Sequence, residues 1–228
     1  MKARTKTIRW LFFGMVLLLA FSVALSGCAK EAAPVKDTLI IGVTDSAPGI
    51  DFDFNYGPEV VRIAPNTYPR GLEYRYEASG VPGAEDITRQ VFREDALQPS
   101  MIESWEKTAD FRTFTFHLKE GVKSFYGNEF TTEDVLWSFQ RGFGLGAIDV
   151  FFYSMMDVSS IDNIQIIDDH TFSVTPNNPN PLVFSIIANH WKSWHDSTEA
   201  KKHATAEDPW ATEWMSKNGS GGLGPYVV

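Results

Sequence analysis

The chain has 228 residues and a single cysteine, Cys28, so it cannot form an intrachain disulfide. A fold of this kind must be stabilised by the burial of apolar side chains, which needs a sizeable core. Seven Trp and seventeen Phe are available for that core, and such an aromatic content is not typical of a disordered chain. We therefore expect the residues that follow Cys28 to fold around a substantial hydrophobic core.

The segment before Cys28 has the three-part pattern of a secretory signal. Four cations precede the charge-free stretch Trp10–Leu25, and the small residues Ser26 and Gly27 follow it. The apolar stretch is shorter than the about 20 residues that a permanent membrane span needs. Because a cysteine comes directly after the small residues, the segment resembles the bacterial lipobox, whose thiol receives a diacylglyceryl group. We predict a signal peptide at residues 1–27 and lipidation at Cys28, with a plain cleaved signal as the alternative.

The remaining residues are strongly acidic. Residues 1–27 contain four of the twenty Lys and Arg and none of the twenty-nine Asp and Glu, so the rest of the chain has a net charge of −13. Such a surface repels both nucleic acid and anionic lipid headgroups. We therefore expect no nucleic-acid partner, and a membrane attachment only through the lipid on Cys28.

The pattern after Cys28 predicts a short tether at residues 28–37 and one domain at residues 38–228. Its fold class is mixed α and β, because predicted strands and helices alternate irregularly along the chain. The first half predicts, in order, a buried strand at Thr38–Val43, a turn-rich loop at Thr44–Gly49, a helix that begins at Pro58, a strand at Leu72–Tyr76 and a short helix at Ile87–Ala96.

The second half has clearer signals. In Arg112–Leu118, Phe and Leu alternate with Thr and His, which predicts a half-buried strand. Thr131–Asp134 has the pattern of a capping box, and the helix that follows should end at Gly142, Gly144 and Gly146. Further predictions are a helix at Val150–Met156, a hairpin of Ile164–Ile166 with Thr171–Val174, helices at Pro181–Ala188 and Pro209–Lys217, and a strand that begins at Pro225–Val228 and suggests truncation.

Candidate metal sites are weak. Asp51–Gly57 begins like a calcium loop, but its glycine comes one position late and Arg62 stands where a bidentate Glu would close the site. A polar loop after a strand explains this segment better. His190, His195 and His203 lie near Asp196, but zinc pairs on a helix are spaced four apart, so exposed surface histidines are expected instead. We predict no metal and no cofactor.

No catalytic constellation can be selected from the residues. The chain has no Gly-x-Ser-x-Gly elbow, a lipidated Cys28 leaves no thiol nucleophile, and the carboxylates are scattered. Four tryptophans could line a ligand cleft, although core packing is expected for at least half of them: Trp191, Trp194, Trp210 and Trp214. The residues alone indicate an exported binding or scaffold domain rather than an enzyme.

Four segments in a fixed order resemble the extracellular solute-binding proteins of family 5, the receptors of dipeptide, oligopeptide and nickel ABC importers. They are Pro99–Glu106, Phe114–Lys123, Phe130–Arg141, and Asp208–Trp214 together with Gly222–Tyr226. The chain departs from the family pattern in two places. Ser124–Gly127 replaces the usual Phe-His-Asp-Gly, and the segment Ser79–Gln98 is longer than the usual link.

The resemblance implies a periplasmic-binding-protein-like fold with two lobes and an extra subdomain, of which this chain corresponds to most of the first lobe. It implies a receptor that delivers a peptide or a related solute to an ABC permease and performs no bond chemistry. With the lipid anchor, such a receptor would lie in the cell envelope, at the outer face of the cytoplasmic membrane or in the periplasm. We expect a monomer.

Few ligand contacts are expected in the part of the fold that this chain covers. Ligands of such folds sit at strand ends, so the loop Thr44–Gly49 is the best candidate to face the cleft, with a plain surface loop as the alternative. Its candidate ligand-binding residues are Asp45, Ser46, Ala47 and Pro48. Two other functions stay open: a lipoprotein hydrolase whose catalytic groups lie beyond Val228, and a surface scaffold without transport activity.

Overall fold

A computed structural model describes residues 49–53, 58–83, 87–146, 148–189, 194–219 and 223–224. The chain divides into two units, residues 1–42 and 43–228, and all the described residues belong to the second. The helices are α1 (Pro58–Thr67), α2 (Thr132–Leu145), α3 (Ile148–Met155), α4 (Leu182–Ile187), α5 (Ser197–Ala200) and α6 (Thr212–Asn218). Short 3₁₀ segments lie at Glu94–Ala96, Ile161–Asn163 and Lys201–His203.

The strands among the described residues form one larger antiparallel sheet and two small ones. They are β1 (Leu72–Tyr74), β2 (Tyr76–Ala78), β3 (Thr88–Gln90), β4 (Leu97–Pro99), β5 (Ile102–Lys107), β6 (Phe114–Leu118), β7 (Ile164–Asp168) and β8 (Thr171–Val174). The larger sheet has the order β5-β6-β8-β7, while β1 pairs with β4 and β2 pairs with β3. The predicted mixture of α and β structure is therefore confirmed.

Strand β6 shows why the sheet forms where the sequence predicts it. Phe114, Phe116 and Leu118 are buried, while the Thr and His between them are only half-buried. Opposite Phe116 in the register lies Phe172 of β8, and the two rings stack with their centroids 5.2 Å apart. Phe184 of α4 packs edge-on against Phe114 at 5.0 Å. The alternating pattern therefore places an aromatic core between the sheet and the helices.

Helix α2 begins where the capping box predicts. The Thr131 side chain accepts a hydrogen bond from a backbone N–H of the first turn, and the Asp134 carboxylate accepts one from the backbone N–H of Thr131. The predicted end is only partly correct, because the helix continues through Gly142 and Gly144 and stops at Gly146, whose φ is 61°. Close packing explains both internal glycines. A Cβ on Gly142 would lie 2.4 Å from the Tyr153 hydroxyl, and one on Gly144 would lie 2.5 Å from the Trp210 ring.

The predicted helix at Ile87–Ala96 is wrong. That segment contains strand β3 followed by a single 3₁₀ turn at Glu94–Ala96. β-Branched Ile87 and Thr88 favour an extended backbone, and β2 offers a partner strand. Arg89 lies opposite Glu77 in that pair. The strand predicted at Leu72–Tyr76 divides into β1 and β2, which join different small sheets.

The other predicted elements of the second half are confirmed with shifts of a few residues, as α3, the β7-β8 hairpin, α4 and α6. The strands predicted at Thr38–Val43 and Pro225–Val228 lie outside the described residues. The signal segment and the tether also lie outside them. In the part of the chain that the structure describes, no helix combines the length and the apolar content needed to cross a membrane.

Candidate functional site

A cluster of charged side chains lies fully buried between helix α2 and the segment Gly49–Asp53. Arg141 of α2 donates from Nη1 and Nη2 to the two carboxylate oxygens of Asp51, at 3.0 Å and 2.5 Å. Its Nη1 also lies 2.5 Å from Oδ2 of Asp53, and its Nε donates to the backbone carbonyl of Trp210 at 3.2 Å. None of the three charged side chains is more than 1% exposed.

His195 extends this cluster to a third segment of the chain. Its Nε2 lies 2.7 Å from Oδ2 of Asp53, and its backbone N–H donates to Oγ of Ser138 at 3.2 Å. Because Nε2 faces a carboxylate, we assign the ring proton to Nε2. Two aromatic rings close the site, since Tyr68 and Trp137 pack edge-on against the imidazole at 5.6 Å and 6.0 Å.

Burial and mutual charge set the ionisation of the cluster. Burial raises the pKa of Asp51 above its usual value, although the Arg141 charge acts in the opposite direction. Burial alone would lower the pKa of Arg141, but the charges of Asp53 and Asp51 outweigh it and raise that pKa. The pKa of Tyr68 is raised well above 10.0 by burial and by the same two carboxylates. Arg141 is therefore permanently charged, and Tyr68 stays protonated.

The cluster stabilises the contact between two segments of the chain and is not a reactive site. Its members have essentially no exposed surface, so no solute can reach them. What the cluster does is fix the backbone of residues 49–53 against α2, aided by the Tyr68 hydroxyl, which donates to the carbonyl of Ile50 at 2.6 Å. A buried Arg with two carboxylates is costly to break, because each group left unpaired keeps its desolvation penalty.

Helix α2 is also tied at its start to the segment that carries His195. The Asp134 carboxylate accepts hydrogen bonds from the backbone N–H and the hydroxyl of Ser197, at 2.8 Å and 2.7 Å. Burial raises the pKa of Asp134 despite these hydrogen bonds. The same carboxylate that caps α2 thus binds the first residue of α5, so the two helices are held in one geometry.

Of the residues predicted to carry function, most lie outside the described part of the chain. Cys28, Asp45, Ser46, Ala47 and Pro48 all do, and their roles stay predictions. The polar-loop interpretation of Asp51–Gly57 missed that Asp51 and Asp53 are buried ion-pair partners of Arg141. The separation of 90 positions explains the omission, because no local pattern links an acidic pair to an arginine in a distant helix.

The histidine group does not come together as a metal site among the described residues. His190 lies outside them. The prediction of exposed histidines is wrong for His195, which the Asp53 carboxylate holds inside the protein. Asp196 instead binds the side chain of Asn128 and caps α5, while His203 pairs with a glutamate of α5 and stacks on a tryptophan of α6.

Of the three tryptophans of this group that the structure describes, one lies in the core and two are partly buried. Trp194 is fully buried and contacts the rings of Phe130, Phe139 and Phe172 at 6.1–6.2 Å. Trp210 and Trp214 are partly buried against a small second cluster that includes Trp137 and Met215. The predicted preference for core packing is thus confirmed for Trp194, and Trp191 lies outside the described residues.

Comparisons with known proteins identify the family. The profile of the bacterial extracellular solute-binding proteins, family 5 (middle region), matches residues 96–228. The periplasmic oligopeptide-binding protein OppA of Haemophilus influenzae is 33% identical over 107 residues, which are 40% of this chain and 20% of that protein. The probable D,D-dipeptide-binding periplasmic protein DdpA of Escherichia coli K12 is 26% identical over 213 residues, 92% of this chain and 37% of that protein.

The fold agrees with this family. The crystal structure of H. influenzae OppA in complex with the peptide RPPGFSPFR matches with a TM-score of 0.55 at 22% identity, over 72% of this chain and 31% of that one. This likeness confirms the predicted periplasmic-binding-protein-like fold. The chain spans between 20% and 37% of the length of the two curated relatives.

Proposed function

The chain belongs to the bacterial extracellular solute-binding proteins of family 5, and we propose that it acts as the receptor of an ABC importer for peptides or a related solute. The observation that carries this proposal is the family match over residues 96–228, which includes all four ordered motifs from their first residue to their last. The names of the H. influenzae and E. coli relatives, for oligopeptides and for D,D-dipeptides, support a peptide as the ligand.

The loop Thr44–Gly49 is the part of this chain that we propose to contact the solute, through Asp45, Ser46, Ala47 and Pro48. Support for this proposal comes from the residues that follow the loop in the sequence. Asp51, three positions after Pro48, is bound by Arg141 in the buried cluster, so the end of the loop leaves from a fixed point. A loop held at its base orders at a smaller entropic cost when it binds a solute.

Calorimetry with the tripeptide Ala-Ala-Ala and a mixed nonapeptide pool tests this receptor role on the full-length gene product. We expect saturable binding without hydrolysis, and at least tenfold weaker binding in Asp45→Ala. Asp110→Ala, which removes an exposed carboxylate with a side chain 59% exposed, is the matched control and should leave binding unchanged. Peptide hydrolysis without saturable binding would favour the hydrolase. Absence of ligand-induced compaction in small-angle scattering would favour the scaffold.

We further propose that the receptor is anchored by a lipid on Cys28, with residues 1–27 removed and residues 28–37 acting as the tether. An anchor of this kind keeps a receptor near the permease that it serves. Labelled palmitate should enter the wild-type protein and Ser26→Ala, but not Cys28→Ser, and only the labelled proteins should partition into detergent. Labelling that persists in Cys28→Ser would contradict the anchor without affecting the receptor role.

A further inference from the structure

A pocket of about 370 Å³ opens between the end of α1, the turn that joins β4 to β5, and Leu223. Its volume lies within the range of small-molecule sites. Arg70, Glu73, Ser100 and Lys119 supply its polar lining. The pocket is separate from the sealed charge cluster, although the ring of Tyr68 contributes to both.

Backbone hydrogen bonds hold the walls of this pocket in place. The N–H of Met101 donates to the carbonyl of Arg70 at 3.2 Å, and the N–H of Lys119 donates to the carbonyl of Met101 at 2.9 Å. The N–H of Gly224 donates to the carbonyl of Thr67 at 3.1 Å. The two cationic side chains therefore leave from backbone positions that are locked to one another through Met101.

The two cations of the pocket have no partner among the described residues. Neither the guanidinium of Arg70 nor the ammonium of Lys119 makes a hydrogen bond or an ion pair there, although both side chains are half-buried. By contrast, Arg75, Lys107 and Lys217 each lie within 3.5 Å of a carboxylate. In a protein of net charge −9, two half-buried cations with no carboxylate within ion-pair distance among the described residues mark a place that favours an anion.

We propose that this pocket binds the carboxylate of a small solute with an apolar side chain, held by Arg70 and Lys119. The planar fork of an arginine matches the two oxygens of a carboxylate, and a lysine adds a second charge-assisted donor. Met101 and Leu223, both nearly fully buried, offer an apolar wall to the rest of the solute. This inference rests on the pocket and does not depend on the importer role.

Glu73 explains why a monoanion fits better than a phosphate dianion. Its carboxylate lies on the pocket lining and accepts a hydrogen bond from the Ser100 hydroxyl at 3.4 Å. With two cations and one carboxylate, the pocket has a single net positive charge. A carboxylate neutralises that charge, whereas a dianion would exceed it and be repelled by Glu73.

Saturation-transfer NMR on the full chain, titrated with N-acetyl-leucine, tests the proposal. N-acetyl-leucinamide, which has the same side chain and no carboxylate, and inorganic phosphate are the comparison probes. We expect saturable binding of N-acetyl-leucine, at least tenfold weaker binding of both other probes, and a loss of affinity as salt rises. Arg70→Gln and Lys119→Gln should each weaken binding at least tenfold.

Arg89→Gln and Lys123→Gln make the same charge change at exposed cations and are the matched controls. They should leave binding unchanged, and circular dichroism should show all four variants folded. Equal binding of the acid and the amide would overturn the proposal, as would unaltered affinity in both pocket variants. Tighter binding of phosphate than of N-acetyl-leucine would overturn the carboxylate proposal and indicate a phosphate ligand. If the full chain binds N-acetyl-leucine but no peptide, the result would contradict the importer role and leave the pocket proposal intact.

Discussion

Arg141 binds Asp51 through both of its terminal nitrogens, at 3.0 Å and 2.5 Å, and neither side chain has any exposed surface. The pair joins a helix in the middle of the chain to a segment 90 positions earlier. It is therefore a long-range contact that fixes the described segment Gly49–Asp53 against helix α2.

Replacing Arg141 by Met should strongly destabilise the fold. The variant keeps an unbranched side chain of similar length but leaves Asp51 and Asp53 buried without their cation, which costs about 3–5 kcal/mol for a broken buried pair. Urea denaturation followed by tryptophan fluorescence measures the free energy of unfolding. The control is Arg112→Met, whose side chain is 59% exposed, and it should change that free energy by less than about 0.5 kcal/mol. Equal stability of the two variants would refute the structural role of the cluster.

Tyr68 should make the stability of the protein depend on alkaline pH. Its pKa in the folded protein is well above the value of 10.0 expected for an unfolded chain, because burial and two carboxylates disfavour the phenolate. The folded state thus keeps a proton that the unfolded state loses. This contribution to stability is complete below pH 10.0 and is lost as the pH rises toward the folded-state pKa, by up to about 1.4 kcal/mol per pH unit.

The variant Tyr68→Phe isolates this effect. It loses the hydrogen bond to Ile50, about 1 kcal/mol, at neutral pH but should show a shallower decline of stability between pH 10 and pH 11. Tyrosinate absorbance provides a second measurement. At pH 11 the native wild-type protein and the native variant should have equal tyrosinate absorbance. When both are unfolded, the wild-type chain should show one tyrosinate more than the variant. Parallel stability curves would show that Tyr68 ionises freely.

Gly142→Ala should destabilise helix α2 although alanine is the better helix former. Helix propensity alone favours alanine by about 1 kcal/mol, but the new Cβ would lie 2.4 Å from the Tyr153 hydroxyl and 2.8 Å from Cβ of Asp149. Relieving such overlap typically costs about 1–3 kcal/mol, so the net effect is a loss of stability. Gln140→Ala, at an exposed position of the same helix, should be neutral or stabilising in the same thermal denaturation experiment. A stabilised Gly142→Ala would contradict the close packing of α2 against α3.

Local sequence patterns predicted correctly those helices and strands that are specified by residues close together in the sequence. The alternation in Phe114–Leu118 and the capping box at Thr131–Asp134 are decided by neighbours within a few residues, so they can be read from sequence. The segment Ile87–Ala96 could not be read in this way. It forms β3 because β2 is there to pair with it, and a short segment of mixed pattern follows its partner rather than its own propensity.

The charge cluster and the pocket could not be predicted from local sequence patterns. Nothing in the spacing of Asp51, Asp53 and His195 indicates that they meet, and Gly142 resembles a helix stop until Tyr153 is placed beside it. Arg70 and Lys119 likewise come to line one pocket only when β1 pairs with β4 and β5 pairs with β6, which brings both backbones to Met101.

By itself the sequence determined the family and the elements with a strong local period, because these depend on residue type and spacing along the chain. It also predicts an export signal before Cys28. Only the tertiary structure decided which charges are buried and paired and which cations are left without a partner. The physical reason is that desolvation and ion pairing depend on distances in space, and residues 90 positions apart come within 3.0 Å only when the core has formed.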